Sequence, residues 1–142
     1  MRVAEKMTTN PTTVGAHDSL AAARALMQAE RFKHLPVVEG GRLVGVISDR
    51  DLRAHTGNFE TTRVDAAMTS VPITIVPQAT VEEAARLMLA KNIGCLVVTA
   101  HEVPVGIVTT TDMLKALLDI TSERPRRDDE THHPGQHSLW KN

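Results

Sequence analysis

"GVISDRD" (Gly45–Asp51) and "GIVTTTD" (Gly106–Asp112) are one short phrase written twice. Each runs glycine, two β-branched residues, a hydroxyl residue, two variable positions and an aspartate, and the second lies 61 residues after the first. Shifting the chain on itself by that distance aligns residues 2–52 with residues 63–113 without a gap. Arg2-Val3 falls on Arg63-Val64, Met7-Thr8 on Met68-Thr69, Pro11 on Pro72, Leu26-Met27 on Leu87-Met88, and Asp51 on Asp112. Such self-similarity is the mark of a duplication. Repeats of roughly 50 residues bury too little surface to be stable singly. The two halves are therefore expected to pack against each other about a pseudo-twofold axis.

Each half reads as βαββα, an α+β (α/β) unit. A short first strand centres on Thr13-Val14 in one copy and on Thr74–Val76 in the other. Ser19 and Thr80 are good helix N-caps, and Thr80 with Glu83 forms a capping box. Leu20, Ala23, Leu26 and Met27, and Val81, Ala84, Leu87 and Met88, recur at the helical period and predict one buried stripe per helix. "LPVV" and "LVV" predict buried strands, and "EGGR" and "AHEVP" predict the hairpin turns that follow them. A third strand, Leu43–Ile47 or Val105–Val108, leads to Ser48 or Thr109, where a last helix begins. The predicted boundaries are 2–55 for the first repeat, 56–63 for a linker, 63–122 for the second repeat and 123–142 for a disordered polar tail.

Composition narrows the function classes. Of 142 residues 42% are hydrophobic and 23% charged, a globular balance, while a net charge of −1 gives no footprint for nucleic acid or an anionic membrane. Aromatic residues make up only 2%, too few for a platform that stacks single-stranded bases. "MRVAEKMTTNPTT" lacks the apolar run of a signal peptide, and no stretch reaches membrane-spanning length. One cysteine, Cys95, excludes an internal disulfide, and a cytoplasmic location is expected.

The repeated hydroxyl and carboxylate have two readings. Ser48-x-x-Asp51 and Thr109-x-x-Asp112 match the capping box, which satisfies orphan donors at a helix start. They also stand where a strand's C-terminal end meets a helix N-terminus, a natural anion or sugar site. An aspartate can accept from both hydroxyls of a ribose, and serine or threonine can reach a sugar or phosphate oxygen. Gly45 and Gly106 lack a side chain beside that place, which would let a ligand come close. Val14, Ile47, Ile75 and Ile107 are candidates to sandwich a base between aliphatic faces.

Two consecutive βαββα units, each ending in Gly-hydrophobic-hydrophobic-Ser/Thr-x-x-Asp, resemble the tandem cystathionine β-synthase (CBS) domain pair. "MTTNPTTV", "FKHLPVVEGGRLVGVISDRDL", "MTSVPITI" and "GCLVV…VPVGIVTTTDML" carry the resemblance over residues 2 to about 120. It implies a disc-shaped module with two potential clefts for AMP, ADP, ATP or S-adenosylmethionine, with no required cofactor; such pairs are usually attached to an enzyme, channel or transporter, for which 142 residues leave no room, so a stand-alone regulatory module is expected. It also implies that the hydroxyl and aspartate of one repeat hold ribose and phosphate while basic residues before the second strand of the other neutralise phosphate. Carried over, the Thr109/Asp112 cleft is faced by Lys33 and His34, with Thr13 and Val14 as neighbours. The Ser48/Asp51 cleft is faced by the uncharged Gly94 and Cys95, and is expected either to be empty or to rely on Arg50 or Arg53. The Thr109/Asp112 cleft is thus the expected nucleotide site.

The resemblance further implies a homodimer through "RDLRAHT" and "TDMLKALLDI", acting on a separate effector protein. The alternative is a nucleotide-free dimeric scaffold in which the two motifs only cap helices. Cys95 is expected to be a buried, inert thiol, and no metal site is assigned; His132, His133 and His137 form only a weak cluster in the tail. No nucleophile elbow or phosphate-binding P-loop is present, so an enzyme is not expected.

Overall fold

The computed structural model describes residues 1–123. The first half contains α1 (Val3–Lys6), β1 (Thr8–Thr9), β2 (Val14–Gly15), α2 (Leu20–Glu30), β3 (His34–Glu39), β4 (Arg42–Ser48) and α3 (Asp49–Arg53). The second repeats the order with α4 (Val64–Ala67), β5 (Thr69–Ser70), β6 (Thr74–Ile75), α5 (Val81–Lys91), β7 (Cys95–Ala100), β8 (Val103–Thr109) and α6 (Thr110–Glu123). The predicted βαββα core is present in both copies, preceded in each by a short helix and a two-residue strand. The chain is a mixed α+β pair of equivalent halves related by a pseudo-twofold axis.

Local chemistry explains the helices. Ser19 Oγ accepts from Ala22 N at 3.1 Å at the head of α2. Thr80 and Glu83 close the predicted box on α5, with Glu83 N donating to Thr80 Oγ1 at 3.0 Å and Thr80 N donating to Glu83 Oε1 at 2.9 Å. Both helices bury the predicted stripe: Leu20, Ala23 and Met27 in one, Val81, Ala84 and Met88 in the other. Both end on a left-handed residue, Arg31 (φ 61°) and Asn92 (φ 55°). Gly40 and Gly41 turn the first hairpin with φ of 60° and 81°. His101 and Glu102 occupy the same left-handed conformation in the second, at 54° and 66°, although neither is glycine.

The two sheets exchange their edges. One has the order β2-β3-β4-β5 and the other β1-β8-β7-β6, so each takes an edge strand from the opposite repeat. Thr8 and Thr9 pair with Ile107 and Gly106, while Thr69 and Ser70 pair with Val46 and Gly45. The preceding helices follow: Val3 is fully buried in the second core and Val64 in the first. Val3 N donates to Ala79 O at 2.8 Å and Val64 N to Asp18 O at 2.7 Å. Each half is completed by the leading segment of the other repeat, Val3–Thr9 in one case and Val64–Ser70 in the other.

The predicted linker also has a structural role. Phe59 packs on the first core, and Arg24 stacks over its ring at 5.4 Å. Phe59 O and Thr62 O accept from Ala21 N and Leu20 N at 3.0 and 2.9 Å, so this segment caps α2. The tail from residue 124 on, with Arg124, Arg126, Arg127, the three histidines and Trp140, lies outside the described residues.

Candidate functional site: two clefts between the repeats

Two clefts open where a strand of one half delivers the chain to a helix. The first, about 560 Å³, is bordered by Thr109–Asp112 and Ile107 of the second repeat and by Thr8, Pro11, Thr12, Arg31–His34 and Pro36 of the first. The second, about 690 Å³, is bordered by Ser48–Asp51, Arg53 and Val46 of the first repeat and by Thr69, Val71–Ile73, Asn92–Cys95 and Val97 of the second. Both volumes suit a small-molecule ligand, for which about 300–1,000 Å³ is usual.

The hydroxyl and carboxylate perform the cap and still face a cleft. Thr109 N donates to Asp112 Oδ2 at 2.8 Å, Thr109 Oγ1 lies 3.1 Å from the same oxygen, and Asp112 N lies 3.4 Å from Thr109 Oγ1. Ser48 and Asp51 repeat this, with Ser48 N and Oγ at 2.8 and 3.0 Å from Asp51 Oδ2. Both aspartates are half-buried and spend only Oδ2 on the cap. Oδ1 remains able to accept from a ligand hydroxyl. The first helical N–H groups are occupied elsewhere: Asp49 N donates to Lys33 O at 3.0 Å and Thr110 N to Gly94 O at 3.1 Å.

Of the predicted ligand residues, Thr109 and Asp112 line the first cleft, Ser48 and Asp51 the second, and Lys33 and His34 both. Thr13 and Val14 border neither, and Val14 is buried in the first core. The basic wall expected for the first cleft therefore serves both, alongside Arg31 in one and Arg50 and Arg53 in the other.

The proposed aliphatic sandwich divides by strand phase. Ile107 lines a cleft, but Ile47 is fully buried in the core and Ile75 packs against the other core. Val46, one residue before Ile47, faces the cleft from β4, as does Ser48, one residue after Ile47. Successive strand residues point to opposite faces, so a shift of one position exchanges core for cleft. Gly45 and Gly106 also differ from expectation. A Cβ at either would meet a methionine, Met68 or Met7, with Sδ 2.4 Å away. These glycines admit the exchanged edge segment rather than a ligand.

Several lining residues escaped the sequence reading: Thr8, Pro11 and Thr12, their counterparts Thr69, Pro72 and Ile73, and Pro36, Val46 and Val97. The doubled "MT…P" pattern was their signal, but its link to the opposite half is a tertiary fact.

Burial sets the electrostatics. It lowers the pKa of His34 from 6.5, against the attraction of Asp49 and Asp51 and with the repulsion of Lys33 and Arg50. Burial first, then the nearby Asp112 carboxylate, pushes the Cys95 thiol up to about 12. Among the described residues no group of three or more His, Cys, Asp or Glu could hold a metal ion, and no helix is long and apolar enough to cross a membrane.

Duplication, edge exchange and paired clefts define a tandem-repeat module whose candidate clefts lie between its copies. The family model described as CBS domain matches residues 3–56 and again 64–119, and the chain belongs to the CBS-domain family as a pair. It is 37% identical over 103 residues to an inosine-5'-monophosphate dehydrogenase of Korarchaeum cryptofilum, spanning 71% of this chain but only 21% of that enzyme. CBSX2 of Arabidopsis thaliana, solved in complex with AMP, matches with a TM-score of 0.76 at 28% identity, over 84% of this chain and 98% of that one. The CBS domain pair of protein MJ0100, solved with 5'-methylthioadenosine and S-adenosyl-L-methionine, matches with a TM-score of 0.75 at 28% identity, over 82% and 99%.

Proposed function

We propose that this chain is a regulatory module that binds an adenosine-type nucleotide in the clefts between its repeats and modulates a separate partner protein. The observation that carries the reading is the Thr109–Asp112 pair. It caps α6 while presenting a free carboxylate oxygen to a cleft of about 560 Å³ that Arg31 and Lys33 also border. The carboxylate suits ribose hydroxyls, the cations suit phosphate, and Ile107, Pro11 and Pro36 suit the faces of a base. The AMP-bound and the S-adenosylmethionine-bound neighbours support the same ligand class.

At about 0.3 kcal/mol per heavy atom, a nucleoside monophosphate of about 23 such atoms gains about 7 kcal/mol. That is a dissociation constant on the order of 10 μM, suited to an abundant metabolite. Thermal melts against AMP, ATP, S-adenosylmethionine and NAD test the reading. A ligand at 100 times its dissociation constant adds about 2.7 kcal/mol and raises Tm by several degrees in a chain of this size. A melting point that none of them moves rejects it.

A second reading, a nucleotide-free dimeric scaffold, is favoured by a different surface. Leu114, Leu117 and Leu118 follow helical spacing on α6 and are 58%, 55% and 68% exposed. Such a stripe suits self-association. The other candidate contact, "RDLRAHT", has its leucine, Leu52, turned into the core. Sedimentation of wild type against a Leu114→Asp, Leu118→Asp double variant tests the dimer independently of nucleotide.

A further inference from the structure

We propose that the two clefts compete for one cation, Lys33, so that a phosphorylated nucleotide in either cleft weakens binding of a second in the other; this rests on the nucleotide reading above. Lys33, His34 and Gly94 border both clefts, which therefore meet along this wall. The charged side chains private to each cleft cancel. In the first, Arg31 stands against Asp112. In the second, Arg50 and Arg53 stand against Asp49 and Asp51, with Arg53 Nη1 already 3.2 Å from Asp49 Oδ2. Lys33 is the surplus positive charge available to either.

His34 is a poorer substitute: it is half-buried, and burial lowers its pKa from 6.5, which disfavours the charged form. Lys33 is exposed, and its carbonyl is tied to Asp49 N at 3.0 Å, so its backbone is fixed while its side chain is free to turn to either side. An ammonium on a flexible stem is a point charge that serves one phosphate at a time. An uncharged nucleoside makes no demand on the cation and fills both clefts independently.

Calorimetric titration of the full chain with AMP and with adenosine tests this. Asp51→Ala and Asp112→Ala report the AMP affinity of each cleft alone. In wild type the product of the two stepwise AMP association constants is expected to fall at least about tenfold below the product of the single-cleft constants, within the usual range of site coupling. Lys33→Met, combined with each aspartate variant and alone, is expected to bring that ratio to within about threefold of one, the value adenosine should show in every background. Independent AMP binding in wild type, an unaltered ratio in Lys33→Met, or titration of one cleft only overturns the sharing while leaving the nucleotide reading intact. Failure of both AMP and adenosine to bind overturns both.

Discussion

Met7 lies against Gly106 across the two halves, so closely that a Cβ on the glycine would stand 2.4 Å from Met7 Sδ. Met68 lies against Gly45 in the same way, with Thr69 O a further 2.8 Å from the imagined Cβ. These contacts seat the exchanged edge strands. An alanine at either glycine is expected to destabilise by about 1–3 kcal/mol through overpacking. Gly45→Ala should cost more, because a backbone carbonyl cannot turn aside as a thioether can; the carbonyl beside Gly106, Thr8 O, is farther off at 3.1 Å. Urea midpoints check the order. Adding Met7→Ala should recover part of the Gly106→Ala loss, whereas Met68→Ala should do little for Gly45→Ala.

Asp112→Ala is expected to remove the larger part of the AMP-induced rise in Tm, leaving the smaller increment of the Ser48/Asp51 cleft, and Asp51→Ala to keep most of it. Each variant also loses a capping contact worth up to about 1 kcal/mol, so the comparison is between ligand increments, not absolute melting points. The reverse pattern would move the principal nucleotide site to the Ser48/Asp51 cleft.

His34 links stability to pH. Its folded pKa is lowered from 6.5 by burial, so on acidification the unfolded chain takes up the proton first. The stabilisation from a neutral His34 is complete above pH 6.5, declines below it and is gone once the pH passes beneath the folded value. Denaturant midpoints between pH 5 and 8 should show this slope, and His34→Asn should remove it. A variant with an unchanged slope would assign the dependence elsewhere.

Cys95, with its thiol pushed from 9.0 to about 12, carries little thiolate at neutral pH. Its alkylation by iodoacetamide is expected to be roughly a thousandfold slower than that of an unperturbed cysteine, and to become ordinary in denaturant. Because Cys95 lines the Ser48/Asp51 cleft, ordinary reactivity in the folded protein would show that this wall is open to water.

Much was legible in sequence because it is local or periodic. Ser19, Thr80 and the Ser48 and Thr109 motifs cap helices through contacts three residues away. Leu20, Ala23 and Met27 announce their face by the helical period. The segment 56–63 reads as a linker because a lone aromatic, Phe59, carries no period, yet it packs on the core. Ile47 and Val46 are equally apolar neighbours, and only strand phase separates the core residue from the cleft residue.

The sequence by itself determined the duplication, the helices, the hairpins and the residue types at each helix mouth, since repeated words and short-range capping need no knowledge of the rest of the chain. Only the tertiary structure decided which half each leading segment completes. A two-residue strand such as Thr8–Thr9 has too little pattern to choose a partner, and its neighbour, Ile107–Gly106, lies nearly a hundred residues away. The packing of the two halves also brings Lys33 and His34 to the wall common to both clefts. Such a juxtaposition arises from packing two whole halves and leaves no trace in spacing along the chain.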